Sequence, residues 1–162
     1  MLHLLCGKIA SGKSTLAKKL AGEPGTVLIS EDEWLGTLFA DEIHSLDDYA
    51  RCATRLRSVM APHIVSLLKS GVSVVLDFPA NTPRWRTWMR DLVTETGVPN
   101  VMHVLEVPDA VCLERLKARN AQGEHPFSTS EEQFHQVSSY FDPPSADEGF
   151  EIEVHRIGET GT

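Results

Sequence analysis

Long hydrophobic runs are missing from this sequence. No apolar stretch approaches the roughly 18 residues that a membrane-spanning helix needs, so no membrane partner is expected. Cysteine is sparse: Cys6, Cys52 and Cys112 lie far apart and form no C-x-x-C pair. That speaks against a zinc ribbon or a disulfide framework and marks all three as small buried residues. The seven histidines show no H-E-x-x-H and no ligand spacing, so each is expected to be structural or solvated. Basic residues are in deficit, with 15 Lys+Arg against 23 Asp+Glu and a net charge of −8. A general nucleic-acid binder presents the opposite balance, although a few local cations would suffice for one phosphate site. No signal-peptide pattern precedes the first apolar run, and a cytoplasmic protein is expected. The length of 162 residues and an apolar content of 41 % predict a single domain over 1–162 with a proper core.

What is present is concentrated near the N-terminus. Leu4-Leu5-Cys6-Gly7-Lys8-Ile9-Ala10-Ser11-Gly12-Lys13-Ser14-Thr15 reads as an apolar strand, a glycine-bearing loop and the start of a helix. Gly7, Gly12, Lys13 and Ser14 fit G-x-x-x-x-G-K-[ST], the phosphate-binding P-loop. The glycines permit backbone conformations that a side chain would forbid. The N–H groups of the loop through Ala10, Ser11 and Gly12 then converge on one point, reinforced by the positive end of the helix dipole. Lys13 can reach the β- and γ-phosphates, and the Ser14 hydroxyl can ligate Mg²⁺, with Thr15 beside it in reserve.

The rest of the chain alternates strand and helix signals. A helix over 13–21 is stopped by Gly22 and Pro24-Gly25, and 26–29 is a second strand. Ser30-Glu31-Asp32-Glu33-Trp34 follows that strand at the end of the sheet where ligands bind in open α/β folds. Ser30 is also a helix cap there, with the acids favoured by the helix dipole. Ser45 opens a long helix with a Tyr49, Ala53, Leu56, Met60, Ile64, Leu67 stripe, which Pro62 is expected to kink or divide. Arg51 and Arg55 share one face of it. The run 72–77 reads as a buried parallel strand ending in Asp77, placed to hold Mg²⁺ as a Walker-B acid does. Thr82-Pro83 starts a helix with Trp85, Trp88, Met89, Leu92 and Val93 inward and Arg84, Arg86 and Arg90 on a solvated face. Residues 101–107 form a fourth strand, and Asp109 caps the next helix, where Arg115 and Arg119 share a face. Residues 120–126 read as a mobile loop. Ser130 with Gln133 caps a short helix carrying Phe134, Val137 and Phe141. An irregular connector over 142–149 leads to a final strand over 150–157 and a disordered tail over 158–162.

This alternation predicts a three-layer α/β/α P-loop NTPase fold around a mostly parallel five-stranded sheet, with the Asp77 strand beside the P-loop strand. The ordered set Gly7–Thr15, Ser30–Trp34, the strand ending in Asp77 and Arg115-Leu-Lys-Ala-Arg119-Asn120 resembles the small P-loop kinases, over 1–157. These include the kinase domain of polynucleotide kinase, chloramphenicol phosphotransferase, zeta toxins and short AAA-family ATP-binding proteins. The resemblance implies transfer of the γ-phosphoryl group of ATP, with Mg²⁺, to a substrate hydroxyl. It implies that Asp32 accepts the hydroxyl proton, and that Arg115 or Arg119, in a lid over about 115–130, contacts the nucleotide. Lys13, Mg²⁺ and a lid arginine would share the charge stabilisation. One departure is that 121–129 contains no Arg or Lys, where such kinases often carry a further lid arginine. That departure keeps open a nucleotide-binding regulator or weak ATPase without a second substrate. A GTPase is disfavoured because no N-K-x-D occurs. The acidic balance favours a small-molecule or mononucleotide-sized acceptor, with a polynucleotide 5′-hydroxyl as the alternative.

Overall fold

Leu2, Leu4 and Cys6 of the first strand, β1 (Leu2–Cys6), are fully buried on one side, and Leu5 is fully buried on the other. A strand buried on both faces belongs in the middle of a parallel sheet. In the computed structural model, which describes residues 1–123 and 129–156, β1 is indeed the central strand. The chain continues through α1 (Lys13–Ala21), β2 (Thr26–Ser30), α2 (Glu31–Leu38), α3 (Leu46–Lys69), β3 (Ser73–Pro79), α4 (Pro83–Thr96), β4 (Asn100–Glu106), α5 (Asp109–Gln122), α6 (Glu131–Ser138) and β5 (Ile152–Arg156). The sheet order is β2-β3-β1-β4-β5 and every pairing is parallel. The Asp77 strand therefore lies directly beside the P-loop strand. The chain leaves β1 for β2 and β3 on one side and returns to β4 and β5 on the other. This makes the carboxyl end of β1 the topological switch point, where such sheets bind ligands.

Helices cover the two faces unequally. Leu35 of α2, Ala53, Leu56, Met60 and Ile64 of α3, and Met89, Leu92 and Val93 of α4 join Leu4, Leu76, Phe78 and Met102 in the main core. On the opposite face Ala17, with Leu16 and Leu20 of α1, packs on Leu5 and Val75. Cys112 and Leu116 of α5 and Phe134 of α6 form a separate small cluster against Ile9 and Ala10. The α5–α6 unit is thus held to the phosphate loop by its own apolar contacts. Ser30, Ser45, Thr82 and Ser130 all cap helices through their hydroxyl oxygens. All three cysteines are free and buried, and burial pushes the Cys6 thiol up to about 11, where it is inert. No described helix is long and apolar enough to cross a membrane.

Several expectations need correction. Pro62 does not divide α3, which runs unbroken for 24 residues. Pro62 lies on the exposed side, as does Ser58, whose carbonyl loses its helical donor there and can turn to water. Asp109 is the first residue of α5 and makes no capping bond; its carboxylate instead receives Lys8 Nζ at 2.8 Å. Helix α6 ends at Ser138, short of Phe141, and β5 begins at Ile152. Helix α5 runs on to Gln122, into the expected loop, whose positions 124–126 lie outside the described residues, as do the last residue of the expected final strand and the expected tail.

The largest correction is Arg86. Expected on a solvated face, it is only 2 % exposed. Its Nε donates to Glu148 at 2.7 Å, and its Nη1 donates to the carbonyls of Ala80 at 2.9 Å and Asp142 at 2.6 Å. One guanidinium so ties α4 to the end of β3 and to both ends of the connector that leads into β5. Arg86→Ala should lower unfolding stability by about 2–4 kcal/mol, because it removes a buried donor from the Ala80 and Asp142 carbonyls and the half-buried Glu148 carboxylate. Chemical denaturation measures this; a loss under 1 kcal/mol would mean the anchor is dispensable.

Candidate active site

The loop after β1 is built to present backbone N–H groups. Ala10 sits at φ 61°, uncommon for a residue with a side chain, and Gly12 at φ 103°. A Cβ on Gly7 would stand 2.5 Å from Ser11 Oγ and 3.2 Å from Leu105 Cβ, so a side chain there would force the loop's neighbours to shift. Asn81, just past β3, grips the same residue from the other side. Gly7 N donates to Asn81 Oδ1 at 3.0 Å, and Asn81 Nδ2 donates to the Gly7 carbonyl at 2.9 Å. Sequence reasoning missed Asn81, since only its distance from Gly7 in space gives it a role. The first turn of α1 follows at once, with Leu16 N donating to the Gly12 carbonyl.

The charged residues singled out from the sequence gather around this loop. Ser14 Oγ donates to Asp77 Oδ2 at 2.9 Å, so the two expected Mg²⁺ ligands are already adjacent. Lys13 Nζ donates to the Gly7 carbonyl at 2.7 Å. Burial lowers its pKa, against the opposing pull of Asp77 and Asp32 and with a further push from Arg119. Burial also lowers the Arg119 pKa, with Asp32 opposing. Arg115 Nη1 donates to the Ser11 carbonyl at 3.3 Å. Loop, Thr15, both carboxylates and both arginines line one cleft of about 1580 Å³. Two buried polar atoms there, Ser11 Oγ and Arg119 Nε, have no hydrogen-bond partner among the described residues. A glycine cradle, a buried lysine and unsatisfied donors suit a polyphosphate, whose oxygens only accept. The Ser14–Asp77 oxygen pair suits a hard cation such as Mg²⁺.

Behind Asp32 lies a network that the sequence did not reveal. Glu31 is 1 % exposed; one carboxylate oxygen accepts from Arg57 Nε at 3.2 Å and Nη2 at 3.0 Å. The other accepts from Tyr49 Oη at 2.5 Å, and that hydroxyl also stands 3.4 Å from Asp32 Oδ1. The Arg57 guanidinium lies 3.4 Å from the ring centre of Trp85, with Trp88 and Phe78 also close, a cation–π enclosure. Burial raises the Glu31 carboxyl and the Tyr49 hydroxyl and lowers the Arg57 guanidinium, with the Glu31–Arg57 attraction opposing at both partners. Glu31 is therefore an internal anchor. Glu33 is exposed, which leaves Asp32 as the acid of the triplet that lines the cleft. The basic pair on α3 stays on the surface: Arg51 meets Asp48 at 3.4 Å, Arg55 is exposed too, and neither lines the cleft.

Against known proteins, residues 2–144 match the family model described as AAA domain. A search of curated proteins returns no match. Among solved structures, a candidate kinase from Chloroflexus aurantiacus j-10-fl superposes with a TM-score of 0.76 at 22 % identity, over 96 % of this chain and 84 % of that one. A gluconokinase from Sinorhizobium meliloti 1021 gives 0.63 at 16 % identity, over 97 % and 82 %. A chain of the Pnkp1/Rnl/Hen1 complex gives 0.56 at 24 % identity, over 70 % of this chain and 38 % of that one. At these identities the likeness establishes the shared P-loop fold, and it agrees with the resemblance to small kinases read from the sequence.

Two measurements follow from the geometry. Asp77→Asn should raise the Mg²⁺ concentration needed for half-maximal nucleotide-dependent activity, by about tenfold or more, in a metal titration; an unchanged requirement would reduce Asp77 to a partner of Ser14. Arg57→Met should destabilise by about 3–5 kcal/mol in a denaturant titration, because it leaves Glu31 buried without its counter-charge. The double variant with Glu31→Gln should recover part of that loss. Equal stabilities would show that the pair is uncoupled.

Proposed function

The chain belongs to the AAA domain family, and from that premise we propose that it is an ATP-dependent phosphotransferase, moving the γ-phosphoryl group to a hydroxyl of a small-molecule or mononucleotide-sized acceptor. The observation that carries this reading is the placement of Asp32. Its carboxylate acts electrostatically on both Lys13 and Arg119, across a cleft with room for a second molecule. Bound MgATP supplies the transferable phosphoryl group. Ala10 and Gly12 would offer backbone N–H groups to the β- and γ-phosphates, while Gly7, with its N–H on Asn81, and Ser11, with its N–H on the Lys8 carbonyl, hold the loop in shape; Ser14 and Asp77 would hold the metal. Lys13 and Arg119 offset the negative charge on the transferring oxygens, while Arg115 steadies the loop through the Ser11 carbonyl. Asp32 takes the proton of the acceptor hydroxyl at a carboxylate oxygen, with Tyr49 fixing its orientation from behind.

The acceptor side supports a small partner. Its wall comprises Ile43, Leu46, Tyr49 and Trp85, with Arg84 at the edge. An apolar and aromatic wall with one flanking cation suits a compact polar molecule. A polymer held through several phosphates needs a track of cations. The rival reading, a nucleotide-binding regulator or weak ATPase, draws on the absence of Lys and Arg from 121–129.

A labelled γ-phosphoryl group should appear on an acceptor from a panel of sugars, nucleosides and small alcohols; release only as free phosphate would favour the regulator. Lys13→Ala should weaken ATP binding or abolish turnover. Asp32→Asn should leave ATP affinity within about twofold and cut transfer by about 10²–10⁴-fold, the usual worth of a positioned base. Retained transfer in that variant would remove the role from Asp32. Efficient end-labelling of a 5′-hydroxyl oligonucleotide, with affinity falling steeply with salt, would move the acceptor to a nucleic-acid end.

A further inference from the structure

Three histidines that are remote in the chain meet on the face of the sheet that carries α1. Parallel register pairs His3 with Val101, His103 with Glu153, and Leu105 with His155. His3, His103, Glu153 and His155 therefore project from the same face as Leu5, and the imidazoles step diagonally across β1, β4 and β5. His3 Nδ1 lies 3.0 Å from His103 Nε2, and His103 Nδ1 lies 3.0 Å from His155 Nε2. Glu153 Oε1 is 3.6 Å from His155 Nε2. The donor atoms of His103, Glu153 and His155 all fall within 4.8 Å of one another.

We propose that His103, His155 and Glu153 bind one zinc ion, with His3 as the residue that orients His103. The spacing fits the ion. Ligands about 2.0–2.1 Å from a tetrahedral zinc stand roughly 3.3 Å apart, between the 3.0 and 3.6 Å separations seen here. The ring roles fit as well. Metal on His103 Nδ1 requires the proton on Nε2, and that N–H points at His3 Nδ1, which accepts it. A ligating imidazole that donates its other N–H to a fixed acceptor is the usual support for such a site. Two imidazoles and one carboxylate favour zinc over the oxygen-seeking Mg²⁺ expected at Ser14 and Asp77. Access is graded, with His103 buried, His155 half-buried and Glu153 exposed, so the ion enters beside Glu153 and a water completes the tetrahedron.

The site has a structural consequence. Strand β5 is an edge strand, with Ile152 and Val154 exposed on its other face. Besides its ladder to β4 it has an exposed Arg156–Glu106 ion pair at 2.8 Å, of a kind worth little in water. Zinc bridging His103 and His155 would staple β5 to β4 and stabilise that edge of the sheet.

The test uses the full chain, stripped with chelator and titrated calorimetrically with ZnCl₂ in millimolar Mg²⁺. One ion per chain is expected at micromolar affinity or better, with a rise in melting temperature. Co²⁺ in its place should give the intense visible absorption of a four-coordinate ion. His155→Ala and Glu153→Gln, both at accessible positions, should each weaken zinc at least tenfold and remove its thermal effect. His3→Phe should weaken it about tenfold through the lost acceptor, while Asp77→Asn should leave it unchanged. Absent binding, zinc affinity that survives His155→Ala, loss in Asp77→Asn alone, or an octahedral Co²⁺ spectrum would each overturn the proposal.

Discussion

A carboxylate and a guanidinium buried together hold the helices behind Asp32 in place. Glu31, at the first position of α2, meets Arg57 of α3 at 3.0 Å, and Arg57 in turn lies against Trp85 of α4. One ion pair thus links the three helices that cover a single face of the sheet. Neither charge would survive burial alone, since desolvation opposes both. Their joint presence is therefore a constraint on geometry more than a source of net stability. Tyr49, whose hydroxyl lies between Glu31 and Asp32, carries that constraint one residue further, to the carboxylate that faces the cleft.

The phosphate loop is fixed by a different device. Gly7 is gripped through both of its backbone polar groups by Asn81, and its carbonyl also receives Lys13. The loop is therefore held in shape by the chain's own contacts, with Ala10 in a conformation unfavourable to a residue with a side chain. Pre-formed donors of this kind cost little reorganisation when charge develops on a phosphoryl group. The α5–α6 unit leans on the same loop through Ile9 and Ala10, so the helix that carries Arg115 and Arg119 is tied to the loop by one small apolar contact.

Much of the fold was legible because its signals are local. Glycine, serine and threonine punctuation located most element ends, and apolar periodicity located the inward faces of α3 and α4. The candidate residues Lys13, Ser14, Asp32, Asp77, Arg115 and Arg119 followed from an ordered motif set, and the topology brings all of them to one cleft. Arg86 was misread for an instructive reason. Its position on the helix predicts a polar face correctly, but the connector over 142–149 folds across that face and supplies the carboxylate and carbonyl that a buried guanidinium requires. Burial of a charge depends on what arrives from elsewhere in the chain, and helical periodicity holds no record of it.

By itself the sequence determined the alternating α/β order, the phosphate loop and the acids at the strand ends, because each rests on residues within one turn or one strand of one another. Only the tertiary structure decided which polar residues became partners. Asn81 reached Gly7 across 74 positions, Arg57 reached Glu31 across 26, and His3, His103 and His155 met through the parallel register of three strands. The physical reason is the same in each case. A hydrogen bond or ion pair needs its atoms within about 3 Å, and for residues far apart in the chain only the packing of the sheet and its helices sets that distance.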